Sequence, residues 1–169
     1  VNNKLKIIEI KEFSEEILEK LSRLLVNVVE DGASIGFLPP LNLEYSRKYW
    51  KDVLNSSAII WVALLNNDIV GTVQLHLIQK QNGSHRSEIA KLMVHTNARK
   101  MGIGRILMKT AEKRAKDEGR SLIVLDTRAG DPSNLLYQSI GYIKAGMIPR
   151  YAQSANGNLH ETVFYYKEI

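Results

Sequence analysis

Arg99-Lys100-Met101-Gly102-Ile103-Gly104-Arg105 links two apolar stretches of different period. Before it, Arg86 to His95 reads as a strand. After it, Gly102 to Glu118 puts Ile103, Ile106, Leu107, Ala111 and Ala115 on one helical stripe. Two glycines one residue apart let the backbone approach a ligand with no Cβ in the way. The N–H groups of the helix's first turn point at the same spot, and the helix dipole favours an anion there. Arg99, Lys100 and Arg105 add positive charge. The stretch therefore reads as a pyrophosphate cradle running from Arg99 through Met101 and Ile103 to Arg105. A Walker loop is absent, and the dinucleotide pattern Gly-x-Gly-x-x-Gly fails because Leu107 stands where its last glycine belongs.

Downstream, Ser121 to Thr127 is a short apolar strand ending in Asp126-Thr127, Pro132 to Ser139 a short helix, and strands near Tyr142 and Glu161 to Lys167 close the chain. Upstream, Ser14 caps a helix whose stripe is Ile17, Leu18, Leu21, Leu24, Leu25, Val28 and Val29, and Asp31-Gly32 ends it. A loop with Gly36 and Pro39-Pro40 leads to a second helix around Leu43 to Leu54. Ser57 to Leu65 and Ile69 to Gln79 then form a hairpin about Asn66-Asn67-Asp68. In the returning strand Ile69, Gly71, Val73, Leu75 and Leu77 face one way. Thr72, Gln74 and His76 face the other, which is more polar than a second core face would be. The sum is a mixed α/β sheet of the α+β kind, with a helical N-terminal part, an antiparallel meander and one parallel crossover from Arg86 to Thr127. Ligands bind where such strands end.

The 169 residues fit one domain, 1–169, with no repeat or linker. There is no cysteine, which excludes disulfides, thiolate metal sites and a cysteine nucleophile. The four histidines have no metal-ligand spacing, so no metal is expected. The longest apolar run, Ala58 to Leu65, is too short to cross a bilayer, and the stretch from Val1 to Lys6 lacks a signal peptide's apolar core. The expectation is a cytoplasmic protein with no membrane partner. The net charge of +5 is concentrated between Lys91 and Arg120. No aromatic residue lies among those charges to stack a base, so a phosphorylated small ligand is expected rather than nucleic acid.

Two motifs in register now narrow the reading. Arg99-x-x-Gly102-x-Gly104, preceded by Lys91-Leu92-Met93-Val94, resembles the Gln/Arg-x-x-Gly-x-Gly/Ala signature of the GNAT superfamily of N-acetyltransferases. Asn134-Leu135-Leu136-Tyr137-Gln138-Ser139-Ile140-Gly141-Tyr142 resembles that family's second motif. Within the family, Asp31 to Phe37, Glu88 to Val94, Leu125 to Gly130 and the tail from Gly146 to Lys167 are similar to the toxin-acetylating enzymes of tabtoxin resistance. The resemblance implies a GNAT-like fold, a largely antiparallel central sheet flanked by helices, with the fourth and fifth strands splayed apart. It implies acetyl-CoA as cosubstrate, with its arm along the backbone of Leu92, Met93 and Val94 and contacted by Asn134. It implies direct transfer, in a ternary complex, to a primary amine of a small toxin- or antibiotic-like molecule.

Tyr137 matches the family's acid beside the cofactor sulfur, where a departing thiolate needs a proton. Asp126, a carboxylate ending an apolar strand, could take the amine's proton or bind its ammonium; an ion pair or cap explains it equally well. Glu88 is the second carboxylate candidate. Gln74, with His76, could line the acceptor pocket, and Ser34 and Phe37 lie in the loop where the family forms its acceptor wall. A CoA-sensing module without an acceptor, and a protein N-acetyltransferase, stay open as alternatives. The exposed final strand is available to pair between subunits as a homodimer.

Overall fold

The computed structural model describes residues 4–12 and 14–169. Residues 1–3, which open the stretch read for targeting, lie outside the described residues, as does Phe13. Seven strands form one sheet: β1 (Lys6–Glu9), β2 (Ile59–Leu65), β3 (Asp68–Leu77), β4 (Arg86–Val94), β5 (Leu122–Arg128), β6 (Ile143–Gln153) and β7 (Leu159–Glu168). Their spatial order is β1-β2-β3-β4-β5-β7-β6, and only β4 and β5 run parallel. Among the described residues the four α-helices are α1 (Glu15–Glu30), α2 (Leu43–Leu54), α3 (Ile103–Asp117) and α4 (Ser133–Ser139). Among the described residues no helix is long and apolar enough to cross a membrane.

The helices divide the core into two layers. On one face, α1 lays Leu18, Leu21, Leu24, Leu25, Val28 and Val29 against Trp50 of α2 and against Val62, Ile69 and Met93 of the sheet. Ser14 caps α1, accepting from the Ile17 N–H at 3.1 Å. On the other face, α3 packs Ile103, Leu107, Met108, Ala111 and Ala115 onto Trp61, Val73, Leu75, Ile89, Ile123 and Leu125. Met108, not Ile106, completes this stripe. At 3.6 residues per turn Ile106 lies about 140° from Ala111 and Met108 only about 60°, so Ile106 is left exposed.

Four further expectations change. The N-terminal part is not purely helical, because Lys6–Glu9 adds an antiparallel edge strand to β2; four residues carry too little periodicity to betray it. Ile69 does not share a face with Val73. The pairing with β2 slips at Ala63/Leu64, so that Ile69 turns to the α1 side while Val70 and Gly71 stay on the α3 side. The polar face of β3 is a second core face after all, with Thr72 and Gln74 buried beneath α1 and α2. Lastly, the final strand is not an edge. β7 lies between β5 and β6, and the edge at this end of the sheet belongs to β6, whose Ile143, Met147, Ile148 and Tyr151 are exposed.

The crossover is parallel for a very short distance. β4 and β5 pair only over Arg86–Glu88 and Leu122–Val124, whereas β5 pairs with β7 along its whole length. Beyond Glu88 and Val124 the two strands part, which is the expected splay. Gly71 keeps α3 close to this region. A Cβ there would lie 3.1 Å from Ile103 Cγ2, Leu107 Cδ1 and the Met93 carbonyl oxygen. Gly71→Val is therefore expected to lower unfolding stability in urea by about 1–3 kcal/mol, since no neighbour can yield without shifting α3. An unchanged denaturation midpoint would show that α3 is not held by this contact.

Candidate active site

The two glycines of the turn do different jobs. Gly102 adopts φ +78° with open space where a Cβ would stand, so its requirement is conformational. Gly104 has an ordinary conformation. A Cβ there would come within 3.3 Å of Leu136 Cδ2 and 3.8–3.9 Å of Leu92 and Val94 side chains, in the gap between β4 and α4. Lys100 is also left-handed, at φ +63°. The first bond of α3 runs from the Ile106 N–H to the Gly102 carbonyl, and no side chain caps the helix. The N–H groups of Ile103, Gly104 and Arg105 thus lack intrahelical partners and face outward together.

The turn is tied to the end of α1. Asn27 donates to Thr96 Oγ1 (3.2 Å) and accepts from the Thr96 N–H (3.1 Å), and Asp31 pairs with Arg99 at 2.6 Å. Arg99 is therefore spent as a tether. Arg105 donates to Ser139 Oγ at 2.8 Å, and Lys100 stays exposed beside the helix start.

Where β4 and β5 part, the backbone of Leu92, Met93 and Val94 faces a gap instead of a neighbouring strand. Pairing of β4 with β3 also slips here, and Lys91 sits at the irregularity with φ +54°. Around this mouth stand His76 and Glu88, cross-strand partners, together with Lys91, Asp126 and Tyr137. Burial pushes the Lys91 ammonium below its usual range, while Asp126 and Glu88 pull it back. Burial likewise lowers His76, opposed by Glu88. Tyr137 is buried between the rings of Tyr142 and Tyr165, each 5.9 Å away, and burial raises its phenol well above the ordinary tyrosine value, with Asp126 adding to the rise. Asp126 is exposed; Thr162 Oγ1 lies 3.0 Å from its Oδ2 and 2.9 Å from the Thr127 carbonyl, with one proton to serve both.

Beyond the mouth, a cleft of about 570 Å³ lies among Gly32, Arg128 to Asp131, Ser154 to Asn156, His160 and Glu161. Ser34 and Phe37 line a smaller recess that shares Gly32, Arg128 and Ser154 with it. Arg128 fastens the three walls. It bonds Asp131 (3.0 and 2.9 Å), the Gly32 carbonyl (3.0 Å) and Ser154 Oγ (3.0 Å), and Ser154 in turn lies 2.6 Å from His160 Nδ1.

Two expected site residues are occupied elsewhere. Asn134 gives both amide protons to the carbonyls of Arg128 (2.9 Å) and Asp131 (2.8 Å), and its oxygen accepts from the Tyr165 hydroxyl (2.8 Å). Gln74 is buried, donating to Tyr49 Oη and meeting His76 Nε2, both at 3.0 Å, so it supports the mouth from beneath. Phe37 stacks edge-on against Tyr49 at 5.0 Å. Lys91 and Arg128 are the residues that sequence reasoning passed over. Arg128 gives no signal until three separate loops meet; Lys91 lies inside the quoted strand motif, where a lysine amid Ala90 and Leu92 was the available clue. Among the described residues no group of His, Asp and Glu is arranged to hold a metal.

Residues 30–142 match the model of the acetyltransferase (GNAT) family. Human N-acetyltransferase 8B is 33% identical over 108 residues, which are 63% of this chain and 48% of that protein. The chain spans about half the length of the curated relatives it matches. The ribosomal-protein-alanine N-acetyltransferase of Brucella melitensis superposes with a TM-score of 0.79 at 21% identity, over 96% of this chain and 99% of that one. So does yncA of Salmonella typhimurium, solved with its cofactor acetyl-CoA, with a TM-score of 0.77 at 14% identity, over 98% and 94%. Both are likenesses of fold.

The Arg128 clasp generates a test independent of any ligand. In Arg128→Ala the walls at 31–36 and 153–158 lose their common anchor, and their amides are expected to exchange with deuterium faster by about tenfold or more, as local opening becomes easier. Arg128→Lys should not restore protection, because an ammonium cannot serve three separated acceptors as the guanidinium fork does. Unchanged exchange in both variants would assign the cleft's shape to other contacts.

Proposed function

This chain belongs to the acetyltransferase (GNAT) family, and from that footing we propose that residues 1–169 form a single N-acetyltransferase domain moving an acetyl group from acetyl-CoA to a primary amine of a small molecule. The observation that carries the reading is the parting of β4 and β5, which leaves an unpaired strand edge leading from the glycine turn to a buried tyrosine hydroxyl beside a carboxylate.

The residues present fit acetyl-CoA. The uncapped N–H groups of Ile103 to Arg105, with Lys100, Met101 and Gly102 around them, would hold the pyrophosphate. The free edge of Leu92, Met93 and Val94 would pair with the amide-bearing arm, next to the space that Gly104 keeps open. Asn134 would act at one remove, by holding the β5–α4 loop through the carbonyls of Arg128 and Asp131. When bound, acetyl-CoA supplies an acetyl group activated as a thioester.

The chain's own groups handle the protons. Tyr137, a phenol that is protonated at neutral pH and that burial moves further from ionising, holds a proton for the departing sulfur. Asp126, exposed near the mouth where β4 and β5 part, takes the ammonium proton of the acceptor, directly or through water, with Glu88 as the second carboxylate. Direct transfer in a ternary complex is the route that fits this reading, with no cysteine in the chain to carry the acetyl group. Ser34 and Phe37 would touch the acceptor at the recess. A cleft of about 570 Å³ walled by loops pinned through Arg128 has the size of a small-molecule site, which favours a small amine over a protein chain end. We place the protein in the cytoplasm, without nucleic acid or membrane partners; a homodimer would form through the β6 edge.

Release of thiol from acetyl-CoA against a panel of small amines, polyamines and peptide N-termini tests the reading. Tyr137→Phe should lower kcat about 10²–10⁴-fold with acetyl-CoA affinity kept, as expected for loss of a general acid. Full turnover in that variant would remove the acid role, and tight cofactor binding with no turnover on any amine would favour a sensor. Gly104→Trp should abolish acetyl-CoA binding in calorimetry while circular dichroism stays native, because the indole fills the gap between β4 and α4. Retained affinity would show the arm to lie elsewhere.

A further inference from the structure

Lys91 is an amine that the reaction described above does not use. Its backbone occupies the irregularity of β4, immediately before the Leu92–Val94 edge assigned to the cofactor arm. Its side chain crosses the acceptor mouth to the loop between α1 and α2. A Cβ on Gly36 would come within 3.3 Å of Lys91 Nζ, so the bare glycine is what leaves room for the amine. Asp126 and Glu88 both act on this group, yet among the described residues it forms no ion pair with either. A half-buried amine thus stands beside the carboxylate proposed to deprotonate the acceptor, at the strand that would hold the thioester.

From this juxtaposition we infer that Lys91 is a self-acetylation site, taking the acetyl group when no acceptor fills the cleft. The inference rests on the acetyl-CoA reading of the same site. In the step, the neutral Nζ attacks the thioester carbonyl carbon. A C–N bond forms and the C–S bond breaks. The nitrogen's surplus proton passes to Asp126, and the sulfur leaves with the proton of Tyr137, giving Nζ-acetyl-Lys91 and the free thiol of CoA. Burial supports the step by favouring the neutral amine. The modified side chain is longer and uncharged. It would fill the space under Gly36 and remove the ammonium on which Glu88 and Asp126 both act, so the modification would act as a brake on acetyl transfer.

The test is incubation of the full chain with acetyl-CoA and no amine, followed by tryptic mapping with mass spectrometry. Cleavage after Arg86 and Arg99 yields the peptide 87–99, uncut at Lys91 when that residue is acetylated. Lys91 is expected to react about tenfold or more faster than the exposed Lys100 and Lys109, which report the uncatalysed background, because positioning beside the thioester replaces a chance encounter. Tyr137→Phe should slow modification of Lys91 and leave that of Lys100 unchanged. Acetyl-CoA binding measured alongside separates the outcomes. Binding with Lys91 unmodified, or modified no faster than the exposed lysines, overturns the inference alone. Absence of binding overturns the acetyl-CoA reading and the inference with it.

Discussion

The structure turns on a pairing that stops early. Parallel strands normally satisfy one another's backbone along their length, and β4 and β5 do so for only three residues each. Past that point β5 keeps its partner on the other side, β7, so the loss falls on β4. An edge in the middle of a sheet is costly unless something else fills it. The helices keep it open: α3 and α4 bring Gly104 and Leu136 together over the gap, with Leu92 and Val94 beneath. An extended ligand rich in amides fits such an edge, and the uncapped start of α3 at its far end selects one that carries phosphate.

Charge follows the same division. At the α3 end the unspent charges are positive, since Lys100 and Arg105 flank free N–H groups while Arg99 is held by Asp31. At the other end Glu88 and Asp126 both act on the Lys91 ammonium. Much of the basic stretch further along α3 is internal bookkeeping, with Lys113 paired to Asp117 and Arg114 to Glu9 and Glu118. The net charge of +5 thus says less about a partner than the way these few groups are sorted.

What could be read from the sequence was local. The helices, the Ser14 cap, the hairpin and the glycine turn each depend on neighbours within a few residues, and they appear within about two residues of where the spacing puts them. The misreadings arise where distant segments decide. Ile69 changes face because β2 slips against β3, and no feature of β3 alone predicts that. Gln74 looked like a polar lining residue because it alternates with Val73 and Leu75, but Tyr49 from α2 covers it and takes its hydrogen bond. Asn134 fits a ligand-binding pattern, yet its amide is consumed by the loop it sits in.

The same division explains why the cofactor half of the site is easier to assign than the acceptor half. A phosphate cradle is one short segment whose backbone does the binding, so its sequence is its specification. The cleft proposed for the acceptor has walls from the α1–α2 loop, the β5–α4 loop and the β6–β7 turn, brought together by one arginine. Their relative positions depend on Arg128 reaching Gly32, Asp131 and Ser154 at once. A change in any of the three loops would alter the shape offered to an amine while leaving the glycine turn untouched. Shared motifs for the cofactor therefore carry little information about the acceptor, and the chemistry of the amine has to be argued from the groups around the mouth where β4 and β5 part: Asp126, Glu88 and Lys91.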